Sequence, residues 1–151
     1  VRTGDLGVNL PMAGYHYKLQ IIPSSYSSSN EDDYWQSEQP HAEMLIFFRQ
    51  LLPDNNSWGE TEEFRSKVNY SVLYIWWKDE MVRSIQFEYA PIENGEDLLL
   101  NEVLALCKKY NYMLYSSQTK LKLMPLKSEL WQDFKKCSQF KIYEKRLSEF
   151  H

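Results

Sequence analysis

Apolar and polar positions alternate with a period of two in some stretches of the chain and recur every three to four residues in others. Tyr15-His-Tyr-Lys-Leu-Gln-Ile-Ile22 is rich in β-branched and aromatic residues and is closed by Pro23, which predicts a first strand. A Ser-rich loop, Ser24 to Asn30, follows it, and Glu31, Asp32 and Asp33 come next. Ser37 is a candidate cap for a helix with Pro40 in its first turn. Met44, Phe48, Leu51 and Leu52 then recur at helical spacing until Pro53 stops the element. Asp54 to Gly59 has turn composition, and the charged segment Glu60 to Lys67 is expected to make one or two helical turns.

The second half is more regular. Tyr70 to Trp77 is the strongest strand signal, Lys78-Asp-Glu-Met81 a tight turn, and Val82 to Tyr89 the return strand. Period two places Arg83, Ile85, Phe87 and Tyr89 on one face and Ser84, Gln86 and Glu88 on the other. Asn94 is a candidate cap for the next helix, with Asp97 near its first-turn amides. Leu99, Val103, Leu106, Cys107 and Tyr110 form that helix's apolar stripe, and Lys108 and Lys109 suit its C-terminal dipole. Tyr112 to Tyr115 and Leu121 to Met124 are short strands around a Ser116 to Thr119 turn. Ser128 is expected to cap a last helix carrying Leu130, Trp131, Phe134 and Cys137, with Phe140 to Leu147 continuing it or starting another.

Strand, helix, two strands, helix and strand is the order of a split βαβ. The expected fold is therefore α+β, a ferredoxin-like sandwich with two helices on one face of an antiparallel sheet, plus a C-terminal helical tail. In Val72 to Trp77 both alternating faces are apolar, so this strand is expected to be central and covered on both sides. One cover would be the C-terminal helix with Trp131 and Phe134. The other reading leaves Tyr74 and Trp76 as an aromatic platform for a partner.

With 151 residues the chain fits one domain, assigned to residues 12–151. Residues 1–11 differ in character, and Met12 lies just before the first strand, so they are expected to be a leader or a flexible N-terminus. No basic stretch followed by an apolar one opens the chain, and no apolar run approaches the ~18 residues of a membrane span, so neither a signal peptide nor a membrane association is expected. Cys107 and Cys137 fall on apolar helix positions and are expected as buried thiols rather than a bridge. His16, His41 and His151 show no metal-ligand spacing, and neither a metal nor a cofactor is expected.

The net charge of −4 hides a strong asymmetry. Nine acids stand against Arg49 between Pro23 and Glu63, a net −8, whereas Gln118 to His151 carries eight bases and four acids, a net +4. The overall sign argues against nucleic-acid binding, and the return strand Val82 to Tyr89 lacks the glycines of an RNA-recognition strand and carries Glu88. No nucleophile elbow, phosphate loop or calcium loop is present, and solvated carboxylates in a polar loop have nothing to push their pKa values apart, so no catalytic residue is assigned. Acids interleaved with aromatics instead suit a docking surface for a basic protein. Its candidate residues are Glu31, Asp32, Asp33, Tyr34, Trp35, Glu38, Trp58, Glu60, Glu62 and Glu63, joined by Tyr74 and Trp76 from the strong strand.

Ser71-Val-Leu-Tyr-Ile-Trp-Trp-Lys78, Ser84-Ile-Gln-Phe-Glu-Tyr89 and Asp97-Leu-Leu-Leu to Cys107-Lys-Lys-Tyr-Asn-Tyr-Met-Leu-Tyr115 resemble a pattern of small acidic bacterial proteins. Many of these are immunity proteins of polymorphic-toxin and contact-dependent-inhibition systems. The resemblance covers roughly residues 70 to 125 and transfers no binding residue, because such families share no fixed contact set. It implies a cytoplasmic binding protein, monomeric or weakly dimeric, that blocks a cognate toxin domain, frequently a basic nuclease. Two alternatives stay open: an adaptor that homodimerises through an aromatic sheet face, and a small-molecule binder or enzyme.

Overall fold

A computed structural model describes residues 16–27, 33–51, 58–65, 71–93 and 97–149. Its elements are β1 (Tyr17–Pro23), α1 (Ala42–Leu51), β2 (Thr61–Arg65), β3 (Val72–Lys78), β4 (Met81–Tyr89), α2 (Leu98–Tyr110), β5 (Tyr112–Ser116), β6 (Leu121–Leu123), α3 (Lys127–Phe134) and α4 (Gln139–Glu149). The six strands form one sheet in the order β2-β3-β4-β1-β5-β6, and every neighbouring pair is antiparallel. The chain is thus α+β, as the element pattern predicts.

Register assigns the two faces. Tyr17 opposes Tyr89, Leu19 opposes Phe87, and Phe87 opposes Leu73, which opposes Phe64. Directly opposite residues share a face, so these side chains, with Ile21, Ile75, Ile85 and Leu114, make one apolar face, and all are buried. Helices lie on it. From α1, Arg49 bonds Glu62, which also accepts from Trp77 on the same face. From α3, the Phe134 ring packs against Tyr17 at 5.5 Å between centroids. α2 lies beside α1, where the Tyr110 hydroxyl donates to Glu43, and α4 closes an aromatic cluster through Tyr143, Phe134, Phe140 and Trp131. The opposite face is covered at its β1–β5 end by Tyr26 and Tyr34, which pack on Tyr115, the residue opposite Gln20.

Several expectations are corrected. Glu60 to Lys67 is not helical where described: Thr61–Arg65 is the edge strand β2, because Phe64 pairs with Leu73 and is buried there, which outweighs local composition. The C-terminal helix does not cover the second face of β3; it packs on the Tyr17 face and leaves Tyr74 and Trp76 half-buried. Arg83 does not align with Ile85. The register slips at Trp76/Trp77, so Val82 takes the core position opposite Trp77 and Arg83 is the extra residue of a β-bulge. α1 begins at Ala42, leaving Ser37 and Pro40 ahead of it. Leu126, not Ser128, precedes α3 at its cap, without a side-chain cap bond.

The N-cap of α2 is Asp97 rather than Asn94, because the helix starts at Leu98; the Asp97 carboxylate accepts from the Leu100 amide at 3.0 Å. Other local signals hold. Asn111 ends the helix in the left-handed region, φ 60°, with Lys108 and Lys109 in the last turn. The β3–β4 turn is a two-residue loop in which Asp79 and Glu80 both have positive φ, 53° and 64°. Cys107 and Cys137 are buried free thiols. The candidate leader 1–11 and the candidate cap Asn94 lie outside the described residues.

Candidate protein-docking face

The face opposite the helices is organised in cross-strand rows. Trp58 and Thr61 exchange two backbone hydrogen bonds, each 2.9 Å, across a tight turn in which Gly59 takes φ 56°. Thr61 in turn opposes Trp76, and Trp76 opposes Ser84. Trp58, Thr61, Trp76 and Ser84 therefore form one row, with the two tryptophan backbones about two strand spacings, roughly 10 Å, apart. Trp58 is 59% exposed, Trp76 is half-buried, and the short Thr61 residue lies between them in the row. A Trp77 amide bond to the Glu60 carbonyl, 2.8 Å, fixes the turn to β3.

The next row reads Glu63, Tyr74, Gln86 and Gln20, from β2 to β1. Gln20 donates to Gln86 at 3.0 Å and Gln86 donates to Glu88 at 2.6 Å, a chain that ends beside His16, whose Nδ1 lies 3.8 Å from Glu88. Burial alone would raise the Glu88 carboxyl, but His16, Lys18 and Gln86 together hold it below its ordinary value. Burial, reinforced by the Glu88 charge, pushes the Tyr74 phenol up. Glu63 is buried and tied to Arg65 at 2.7 Å. These paired charges fix the polar row, and Trp58, Trp76 and Tyr74 give the face its apolar area.

The candidate residues separate accordingly. Trp58, Glu63, Tyr74 and Trp76 meet on this face, with exposed Glu60 in its corner turn and Thr61, which is not one of the candidates, between the tryptophans. Trp35 does not, and Tyr34 reaches the face only as a buried cover on Tyr115, which opposes Gln20. Their amides both bond the Arg83 carbonyl, which sends Trp35 into the core, where its indole donates to the Ile21 carbonyl at 2.9 Å and meets Tyr112 edge-on. Tyr34 is buried against Tyr26 and Tyr115. Both are core residues rather than anchors for a partner. Asp33 pairs with Arg83 at 2.6 Å. Glu62 lies on the helix-covered face: burial would raise its carboxyl, but bonds from Arg49 at 2.7 Å and Trp77 at 2.8 Å hold it below the usual range. Glu38 is exposed and accepts from Ser25 at 2.9 Å. Glu31 and Asp32 lie outside the described residues.

Sequence reasoning did not assemble the Gln20–Gln86–Glu88 chain, although the Ser84, Gln86, Glu88 alternation marks its strand. It also missed Asp133, a buried carboxylate on α3 that accepts from Tyr17 at 2.6 Å and Thr119 at 2.5 Å. Among the described residues no group of His, Cys, Asp or Glu is placed to hold a metal ion, and no helix is long and apolar enough to cross a membrane. Compared with known proteins, the chain matches no family model, no curated protein and no solved structure.

Proposed function

We propose that the protein is a cytoplasmic immunity protein that binds and occludes a cognate, basic toxin domain. The observation that carries this reading is the β2–β4 part of the face opposite the helices, where exposed Trp58 shares a cross-strand row with Trp76 and Tyr74 lies in the next row. Tryptophan and tyrosine on a rigid backbone give large contact area at small entropic cost, and they dominate protein-interface hot spots. The acidic first half of the chain supplies complementary charge and predicts salt-sensitive association. Inhibition would be steric and electrostatic. The sub-order β3-β4-β1-β5, all antiparallel, supports reading the centre as a ferredoxin-like split βαβ, with β2 and β6 added at its edges.

The test is co-expression with the product of the neighbouring gene, followed by titration of the purified pair. Trp58→Ala should weaken binding by about 2 kcal/mol or more, roughly 30-fold, without changing stability. Tight binding that ignores both Trp58→Ala and Trp76→Ala would remove this face from the interface. The same half-exposed aromatics also fit a homodimer, and sedimentation across a concentration series separates the two: a stable dimer of the protein alone favours the adaptor reading.

A further inference from the structure

The described surface has a concave feature away from the aromatic face. It is a groove of about 290 Å³ between α1 and α2. Phe47 and Leu106 line it with apolar surface, Glu43 contributes a carboxylate from α1, Glu102 one from α2, and Tyr110 lies at its side. The ring is fixed: its hydroxyl donates to Glu43 at 3.0 Å and His41 stacks on it at 4.6 Å between centroids. The chain's own Lys109 ammonium sits 5.3 Å from the ring centroid, within the range of a cation–π contact. The groove therefore combines what a long cationic side chain needs, an apolar bed for its stem and two carboxylates with an aromatic ring for its head.

We infer that this groove receives an arginine side chain presented by a protein partner. A guanidinium is planar and weakly hydrated, so it suits the Tyr110 ring better than the Lys109 ammonium does, and Glu43 and Glu102 line the same groove. Lys109 is then a competitor within the chain, displaced when the partner's arginine enters. The inference rests on the reading of a basic partner and gives that partner an anchor on the helix side of the sheet.

The experiment is an amide-resolved NMR titration with N-acetylarginine amide, with N-acetylcitrulline amide as the uncharged isostere. The arginine probe should saturate with a millimolar dissociation constant and shift amides of residues 43–47 and 102–110, whereas the citrulline probe should not. Glu43→Gln with Glu102→Gln, which keeps an acceptor for Tyr110, should weaken the arginine probe roughly tenfold, and Lys109→Ala should tighten it about two- to threefold. Equal response to both probes, shifts centred elsewhere, or full binding by the double Gln variant would overturn the site. Toxin binding unaffected by the double variant overturns the anchor and leaves the immunity reading standing. Arginine binding here with no toxin bound by the protein overturns the immunity reading alone.

Discussion

Tyr17→Phe should cost about 2 kcal/mol of folding stability, a value set by one hydroxyl. Tyr17 lies in β1, 2% exposed, and donates at 2.6 Å to Asp133, itself 2% exposed on α3. The ring has its own supports, Tyr89 at 5.7 Å and Phe134 at 5.5 Å, and phenylalanine keeps both. The substitution therefore removes only the donor and leaves Asp133 with the Thr119 hydroxyl and the more distant Cys137 thiol. Hydrogen bonds to charged groups contribute roughly 1.5–3 kcal/mol, and a buried carboxylate losing one of two hydroxyl donors belongs in that range. For a chain of this length the loss lowers Tm by roughly 4–8 °C. Urea unfolding should show a reduced midpoint at unchanged slope. Burial, reinforced by Asp133, raises the Tyr17 pKa far above 10.0. A raised folded-state value means that this stabilisation is complete below the unfolded pKa and is lost as pH climbs above it. The wild type should thus lose stability on the alkaline side more steeply than Tyr17→Phe. A variant within about 0.5 kcal/mol of wild type at pH 7, or one with the same alkaline slope, would refute the argument.

Three further outcomes follow from local structure. Asp79 and Glu80 both hold positive φ in the β3–β4 turn, so Asn-Gly at these positions should stabilise the fold by about 1 kcal/mol, read as a Tm increase of roughly 2–4 °C. Asp97→Ala removes the N-cap of α2 and should cost about 1 kcal/mol in urea unfolding, with Asp97→Asn retaining most of it. Burial pushes the Cys107 thiol up to about 12 and also raises Cys137, so a disulfide reagent at pH 8 should modify both only as fast as the protein unfolds; rapid labelling of the native state would contradict their placement.

Elements whose signals are local were legible from the sequence. The β3–β4 hairpin, the apolar stripe of α2 and the placing of Asp97 near the first amides of α2 each depend on neighbours within a few residues, although the cap itself is Asp97 and not Asn94. β2 was not legible, because Thr61 to Arg65 holds one apolar residue, Phe64, and becomes a strand only by pairing with Leu73. The candidate surface divided for a similar reason. Closeness in sequence to Glu31 and Asp32 says nothing about where the Trp35 side chain points, and two amide bonds to Arg83 direct it inward. Trp58 stays outside because a turn built on Gly59 projects it from the sheet edge. The bulge at Arg83 is likewise invisible to strict alternation, since period two carries no sign of where a strand gains a residue.

The unequal burial of the tryptophans gives the molecule an optical readout of its own. Trp35 is enclosed and bonded to a carbonyl, whereas the Trp58 indole is mostly in water. Unfolding hydrates Trp35 and must move emission to the red. A partner settling on Trp58 dehydrates it, moving emission to the blue and shielding it from acrylamide. Binding and denaturation thus push intrinsic fluorescence in opposite directions, and a Trp58→Phe control isolates the docking corner without any attached dye.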